Sequence, residues 1–162
     1  MDVYPDFRDL LFEFNKNKVE FMVIGGYAMS THGLARATKD LDLWIRPTEA
    51  NVKKVLLALR SYGAPIRNLA ANDLLNPKTI FQIGVAPVCI DILSSIKGVT
   101  FERAWTKRKR TKFGDQKAFA LCREHLIKNK KLTGRPIDIS DVAWLKENPT
   151  RSRTKITARH KP

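Results

Sequence analysis

The segment DLDLWI, residues 40–45, alternates carboxylate and large apolar side chains with a period of two. Only an extended strand turns that alternation into two faces, so Asp40 and Asp42 go to one side and Leu41, Leu43 and Ile45 to the other. The apolar side needs a core to pack on, and the acidic side brings two converging charges into a hydrophobic strand. Burying an unpaired carboxylate is costly or forces its protonation, so something compensates the pair, and a metal ion is one candidate.

Upstream, the β-rich run VEFMVI (residues 19–24) ends at Gly25-Gly26, after which YAMSTHG reads as a short helix stopped by Gly33. The glycines therefore sit at a strand-to-helix turn. Without side chains there, backbone N–H groups at a helix N-terminus can approach phosphate oxygens. Further on, TIFQIGV (79–85) and VCIDIL (88–93) read as two strands of a tight hairpin turning at Ala86-Pro87. This places a third acid, Asp91, in mid-strand. Three acids inside apolar runs are unlike chance surface charge, because a solvent-facing strand carries more polar neighbours. Such acids can bind two divalent ions, hold a triphosphate and neutralise charge on a phosphoryl group in transfer.

The rest is mostly helical. Residues 5–18 place Phe7, Leu10, Leu11 and Phe14 at helical spacing. Pro47 and Thr48 open a helix with Val52, Val55, Leu56 and Leu59 on one face, ending near Gly63 and expected to cover one face of the sheet. TFERAW reads as a short helix, KAFALC as a late strand, CREHLIKNKKLTG as a helix ended at Gly134, and DISDVAWLKEN as a final helix capped at Asp138. The order of elements predicts an α+β (α/β) domain with a mixed central sheet flanked by helices, spanning residues 1–149. Residues 150–162 form a basic tail without an acid, expected to be disordered when free.

Thirty Lys plus Arg against sixteen Asp plus Glu give a net charge of +14, so the field of the molecule attracts polyanions, nucleotides and nucleic acids first among them. KRKR (107–110) and the tail are its two charge blocks, either solvated surface or a track for RNA phosphates. Cys89 and Cys122 lack zinc-type pairing and read as structural thiols of a reduced, cytoplasmic protein, and no apolar run has the length of a membrane span. The polar, acidic start MDVYPDFRDL argues against export.

A glycine pair, thirteen residues, an Asp-x-Asp strand and, about fifty residues later, the strand acid of CIDIL resemble the nucleotidyltransferase superfamily typified by DNA polymerase beta. HGLARATKDLDLWI, FQIGVAPVCIDIL, GVTFERAW and KLTGRPIDISDVAWL are similar to small bacterial nucleotidyltransferase-like proteins, related to minimal nucleotidyltransferases and abortive-infection-type toxins. The resemblance covers roughly residues 19–146 and implies the nucleotidyltransferase fold. It implies that Asp40 and Asp42 are metal ligands holding the NTP on Mg²⁺ or Mn²⁺, and that Asp91 is a shared ligand or the base for the acceptor hydroxyl. Gly25 and Gly26 would face the β- and γ-phosphates. The family often has Ser at the second glycine, so here only backbone donors remain.

Among neighbouring residues, Arg36 and Lys39 are read as steering phosphate, with a solvated loop as the alternative. Thr38 either contacts substrate or bonds a nearby backbone group. His32 is read as a packed or capping histidine. A basic group before PIDISD is implied to reach the site, and Lys130 is preferred over Lys131 and Arg135. The implied activity is metal-dependent transfer of a nucleoside monophosphate, ATP being one donor, to an acceptor hydroxyl. The acceptor would be tRNA or another RNA in a toxin-antitoxin or defence setting, with small-molecule and protein acceptors as alternatives and a homodimer or partner protein completing the substrate surface. Two rivals stand beside this reading. A noncatalytic nucleotide- or RNA-binding module would not require all three acids. A metal-dependent nuclease would place a lysine soon after the third acid, and CIDILSS has none.

Overall fold

The alternation at residues 40–45 is realised as strand β2 (Asp40–Ile45), with Leu41, Leu43 and Ile45 fully buried. The structure is a computed structural model and describes residues 3–35 and 37–150. In chain order the other elements are α1 (Pro5–Lys16), β1 (Phe21–Ile24), α2 (Gly25–Thr31), α3 (Glu49–Tyr62), α4 (Ala71–Leu75), β3 (Ile80–Val85), β4 (Val88–Leu93), α5 (Phe101–Thr106), β5 (Lys109–Phe113), β6 (Gln116–Ala120), α6 (Arg123–Thr133) and α7 (Pro136–Glu147).

Six strands form one mixed sheet in the order β3-β4-β2-β1-β6-β5. β2 pairs antiparallel to β1 and parallel to β4, and β1 pairs parallel to β6. The predicted α+β class with a mixed sheet is the one observed. Period-two alternation sends one set of side chains to each face. Phe21, Val23, Leu41, Leu43, Ile45, Ile90 and Ile92 join a core with Phe7, Leu10, Leu11 and Phe14 of α1 and Val52, Val55, Ala58 and Leu59 of α3. Met22, Ile24 and Trp44 join a second core with Phe101 and Ala104 of α5, Leu126 of α6 and Leu145 of α7. Each fully buried side chain of this size contributes about 1.5–3 kcal/mol, so both faces are strongly specified. α3 covers its face as expected. Thr48 starts it by accepting from the Asn51 N–H at 3.2 Å, and Gly63, at φ +89°, ends it.

Several boundaries and two elements differ from the sequence expectations. β1 begins at Phe21 rather than residue 19, and the glycine pair forms the first turn of α2 instead of preceding it. α7 starts at Pro136, not at a cap on Asp138. Asp138 is the third helical residue, where its carboxylate reaches back to accept from the Arg135 N–H at 3.2 Å. α4 and β5 were not anticipated. β5 begins within the KRKR block, in which Lys107 pairs with Glu124 at 3.2 Å, Arg108 lies over Trp105, and Lys109 Nζ donates to the Thr31 carbonyl at 3.0 Å. Three of those four cations thus have internal partners. Among the described residues no helix is long and apolar enough to cross a membrane. The predicted tail lies outside the described residues from 151 onward.

Candidate active site

Parallel pairing of β2 with β4 sets Asp42 directly beside Asp91, and Asp40 beside Cys89. Side chains at paired positions leave the sheet on the same side, so Asp40, Asp42 and Asp91 share a face, the one opposite Leu41 and Leu43. Asp40 is exposed, while Asp42 and Asp91 are half-buried. Asp91 is held from the far side by β3, where Gln82 is its antiparallel partner and donates Nε2–H to Asp91 Oδ1 at 2.9 Å. Gln82 was not among the expected site residues. The signal was present, because a turn at Ala86-Pro87 pairs Val85 with Val88, and counting back three along each strand pairs Gln82 with Asp91.

The third wall is the junction of β1 and α2. Ile24 pairs with Asp42, so the next residue, Gly25, comes against the carboxylate. A Cβ on Gly25 would lie 2.2 Å from Asp42 Oδ2, and one on Gly26 would lie 2.9 Å from Thr38 Oγ1. The two glycines are thus required by neighbouring side chains of the chain itself, whatever else approaches their backbone. No side chain caps the first turn of α2, where Ile24 is the N-cap residue.

Burial, then repulsion from Asp91 and from Asp40, pushes the Asp42 carboxyl up to about 7, opposed by the charges of Arg135 and Lys130. Three like charges on one patch need positive charge beside them, and carboxylate oxygens are the ligands that Mg²⁺ takes. By donor chemistry, these acids are the groups that could hold a hard divalent cation. Among the described residues no group of three or more acid, histidine or cysteine side chains is placed closely enough to hold a metal ion. The geometry fixes the face and the register of the acids.

Lys130, expected to reach the nucleotide, is buried and bonded elsewhere. Its Nζ lies 2.7 Å from Asp141 Oδ2 and 3.3 Å from Asp138 Oδ1. Arg135 donates Nε–H to Asp138 Oδ2 at 2.8 Å, while its side chain stays 68% exposed. Burial alone would raise the Asp138 carboxyl, but hydrogen bonds from Arg135 and Thr133 and the Lys130 charge outweigh it and hold Asp138 well below the usual range. Both cations act on Asp42 through charge, and Arg135 is the one with an accessible guanidinium.

Of the other expected residues, Thr38 donates Oγ1–H to the Asp40 carbonyl at 3.4 Å, the backbone alternative for that residue. Lys39 is exposed, and its carbonyl accepts from the Cys89 N–H at 3.3 Å, tying the approach to β2 onto β4. Arg36 lies outside the described residues. His32 ends α2 with Nε2 2.7 Å from the Leu121 carbonyl, a packed histidine as expected. Both thiols are free, Cys89 buried on β4 beside Asp40 and Cys122 at the start of α6.

This fold, a mixed sheet carrying paired acids on adjacent parallel strands with a glycine turn against one of them, is shared with solved nucleotidyltransferases. Solved structures that share it include a lincosamide antibiotic adenylyltransferase, LnuA, bound to lincomycin, at a TM-score of 0.57 and 16% identity over 91% of this chain and 98% of that one. The antibiotic-resistance factor ANT(2'')-Ia matches at a TM-score of 0.58 and 10% identity, covering 88% of this chain and 81% of its own. An antigenic nucleotidyltransferase-like protein from Paracoccidioides brasiliensis matches at 0.51 and 13%, over 86% and 74%. No protein-family model matches the sequence, and no curated protein does.

Proposed function

We propose that this protein is a metal-dependent nucleotidyltransferase that moves a nucleoside monophosphate from an NTP to an acceptor hydroxyl and releases pyrophosphate. The observation that carries the reading is the register of β2 and β4, which sets Asp42 beside Asp91 on the face of Asp40, next to the side-chain-free turn at Gly25. Asp40, Asp42 and Asp91 would hold Mg²⁺ or Mn²⁺, which supplies the positive charge a triphosphate needs near three carboxylates. Asp91, kept in place by Gln82, acts as shared ligand or takes the proton of the attacking hydroxyl. Gly25 and Gly26 offer backbone N–H groups to the phosphates, Arg36 and Lys39 would steer the phosphates by charge, and Thr38 holds the approach to β2 through the Asp40 carbonyl. Arg135 supplies an exposed cation beside Asp42, and Lys130 acts from behind it through its charge. The acceptor oxygen bonds to the α-phosphorus as the bond to the pyrophosphate oxygen breaks.

The +14 charge supports an RNA hydroxyl as acceptor. The test is incubation with each α-labelled NTP and Mg²⁺ in the presence of total RNA, of a protein lysate or of small polyhydroxylated compounds. Label is expected in RNA and lost when Asp40 and Asp42 are replaced by Asn in a chain that still folds. Turnover that survives both substitutions removes these acids from the reaction. If no acceptor is labelled, the noncatalytic binding module replaces this reading.

A further inference from the structure

We propose that the outer face of the β5–β6 hairpin, with the cleft beneath it, binds a single-stranded polynucleotide through its phosphates and a stacked base. Antiparallel pairing places Lys112 opposite Lys117 and Arg110 opposite Phe119 on one face of the hairpin. Like charges directly opposite each other destabilise a strand pair. Among the described residues no carboxylate lies within ion-pair distance of Arg110, Lys112 or Lys117, although Asp115 stands in the connecting turn. Phe119 continues the face into rings and a further cation. Trp105 of α5 meets it edge-on at 5.3 Å, and the Arg108 guanidinium lies 4.0 Å from the Trp105 centroid and 4.3 Å from that of Phe119.

The sheet opens beside this ladder. β1 and β6 share one register pair, Val23 with Ala120, and below it lies a cleft of about 670 Å³ lined by Phe21, Trp105, Arg110, Lys112, Lys117 and Phe119, among others. Among the described residues these cations have no acidic partner, and they lead to the Arg108 guanidinium stacked over Trp105 and Phe119. That arrangement matches a chain of phosphates whose bases stack on a guanidinium plane or an aromatic ring. An acidic peptide would satisfy the cations and leave the rings unused. The ladder shares its sheet face with the acids but stands apart from them along it. Lys117 stands three residues before Ala120 and Asp42 pairs with Ile24, one residue past Val23, so they are about 13 Å apart along the strand direction.

The proposal names the acceptor class of the reaction above and rests on that reading only for its biological role. Strand binding is measured without NTP, so binding without transfer sinks the transfer reading alone, and transfer to RNA without binding at this face sinks this one. The experiment is fluorescence anisotropy of the full chain with labelled twelve-nucleotide single-stranded RNA, the same DNA sequence and the matching duplex, over a range of salt. Either single strand is expected to bind more tightly than the duplex, a preference for RNA over DNA reporting 2′-hydroxyl contacts. Replacing Lys112→Glu with Lys117→Glu should weaken binding at least tenfold and reduce the log–log salt slope by about 1.4, two phosphate contacts at about 0.7 each. Lys112→Gln with Lys117→Gln gives the same direction without charge reversal. Lys53→Glu with Lys54→Glu, exposed on α3, makes the same charge change elsewhere and should cost no more than about threefold. Tryptophan quenching on binding should vanish in Trp105→Phe. Absent single-strand binding, equal loss from both lysine pairs, tighter duplex binding, or displacement by polyglutamate as readily as by RNA would overturn the proposal.

Discussion

Gly25 and Asp42 meet so closely across the β1–β2 pair that a Cβ on the glycine would lie 2.2 Å from Asp42 Oδ2. Gly25 also sits at φ +66°, where an L side chain costs about 1–2 kcal/mol. Gly25→Ala is therefore expected to displace the carboxylate as well as strain the turn. Misplacing a reacting group by about 1 Å costs on the order of 100-fold, so labelled-NTP transfer should fall by about that factor while the thermal midpoint drops by a few degrees. Transfer within about tenfold of wild type would mean that the position of Asp42 is not critical.

The raised Asp42 carboxyl makes a pH prediction for the metal-free protein. Folded Asp42 titrates near 7, whereas the unfolded group titrates near 3.8, so between these values the folded state keeps a proton that the unfolded chain has lost. Stability then falls as pH rises through that window and levels off above it. Asp138, held low, is ionised in both states above the ordinary carboxylate range and does not oppose this between pH 5.5 and 8. His32 and His125, both lowered by burial, act in the opposite sense in both proteins. Melting in EDTA across that interval should therefore show the wild-type midpoint falling relative to that of Asp42→Asn, with the variant the more stable at pH 8. Mg²⁺ added at pH 8 should raise the wild-type midpoint and leave that of the variant unchanged.

Lys130, buried with Asp138 and Asp141, yields a prediction that separates scaffold from substrate contact. Lys130→Met leaves two buried carboxylates short of a counter-charge, a loss of about 3–5 kcal/mol in a urea melt. Adding Asp141→Asn should recover part of it. Unchanged stability with a raised KM for NTP would instead put the Lys130 ammonium on the nucleotide.

How far the site was legible depends on whether its logic is local. The alternation in DLDLWI fixed the two faces of β2, and the glycine pair marked the strand-to-helix turn. The hairpin at Ala86-Pro87 carried enough information to place Asp91 and even Gln82, because a tight turn dictates register. β5 was not legible, since its alternation of Lys109, Thr111 and Phe113 with Arg110 and Lys112 is masked by four consecutive cations. The start of α7 was misread because an acid suits both the cap and the first turn of a helix, and here Asp138 lies in the first turn and accepts from the N–H of the cap residue, Arg135.

By itself, then, the sequence determined most of the strands and helices and the acidic side of β2, since these follow from periods of two and 3.6 residues. Only the tertiary structure decided that β4 lies parallel to β2, so that Asp91 meets Asp42, and that the turn at Gly25 closes on the same carboxylate. It also decided that Lys130 spends its charge on Asp138 and Asp141 while Arg135 keeps an exposed guanidinium. The physical reason is that strand order and helix docking are set by how two apolar faces are buried at once, a property of the whole chain that no window of sequence contains.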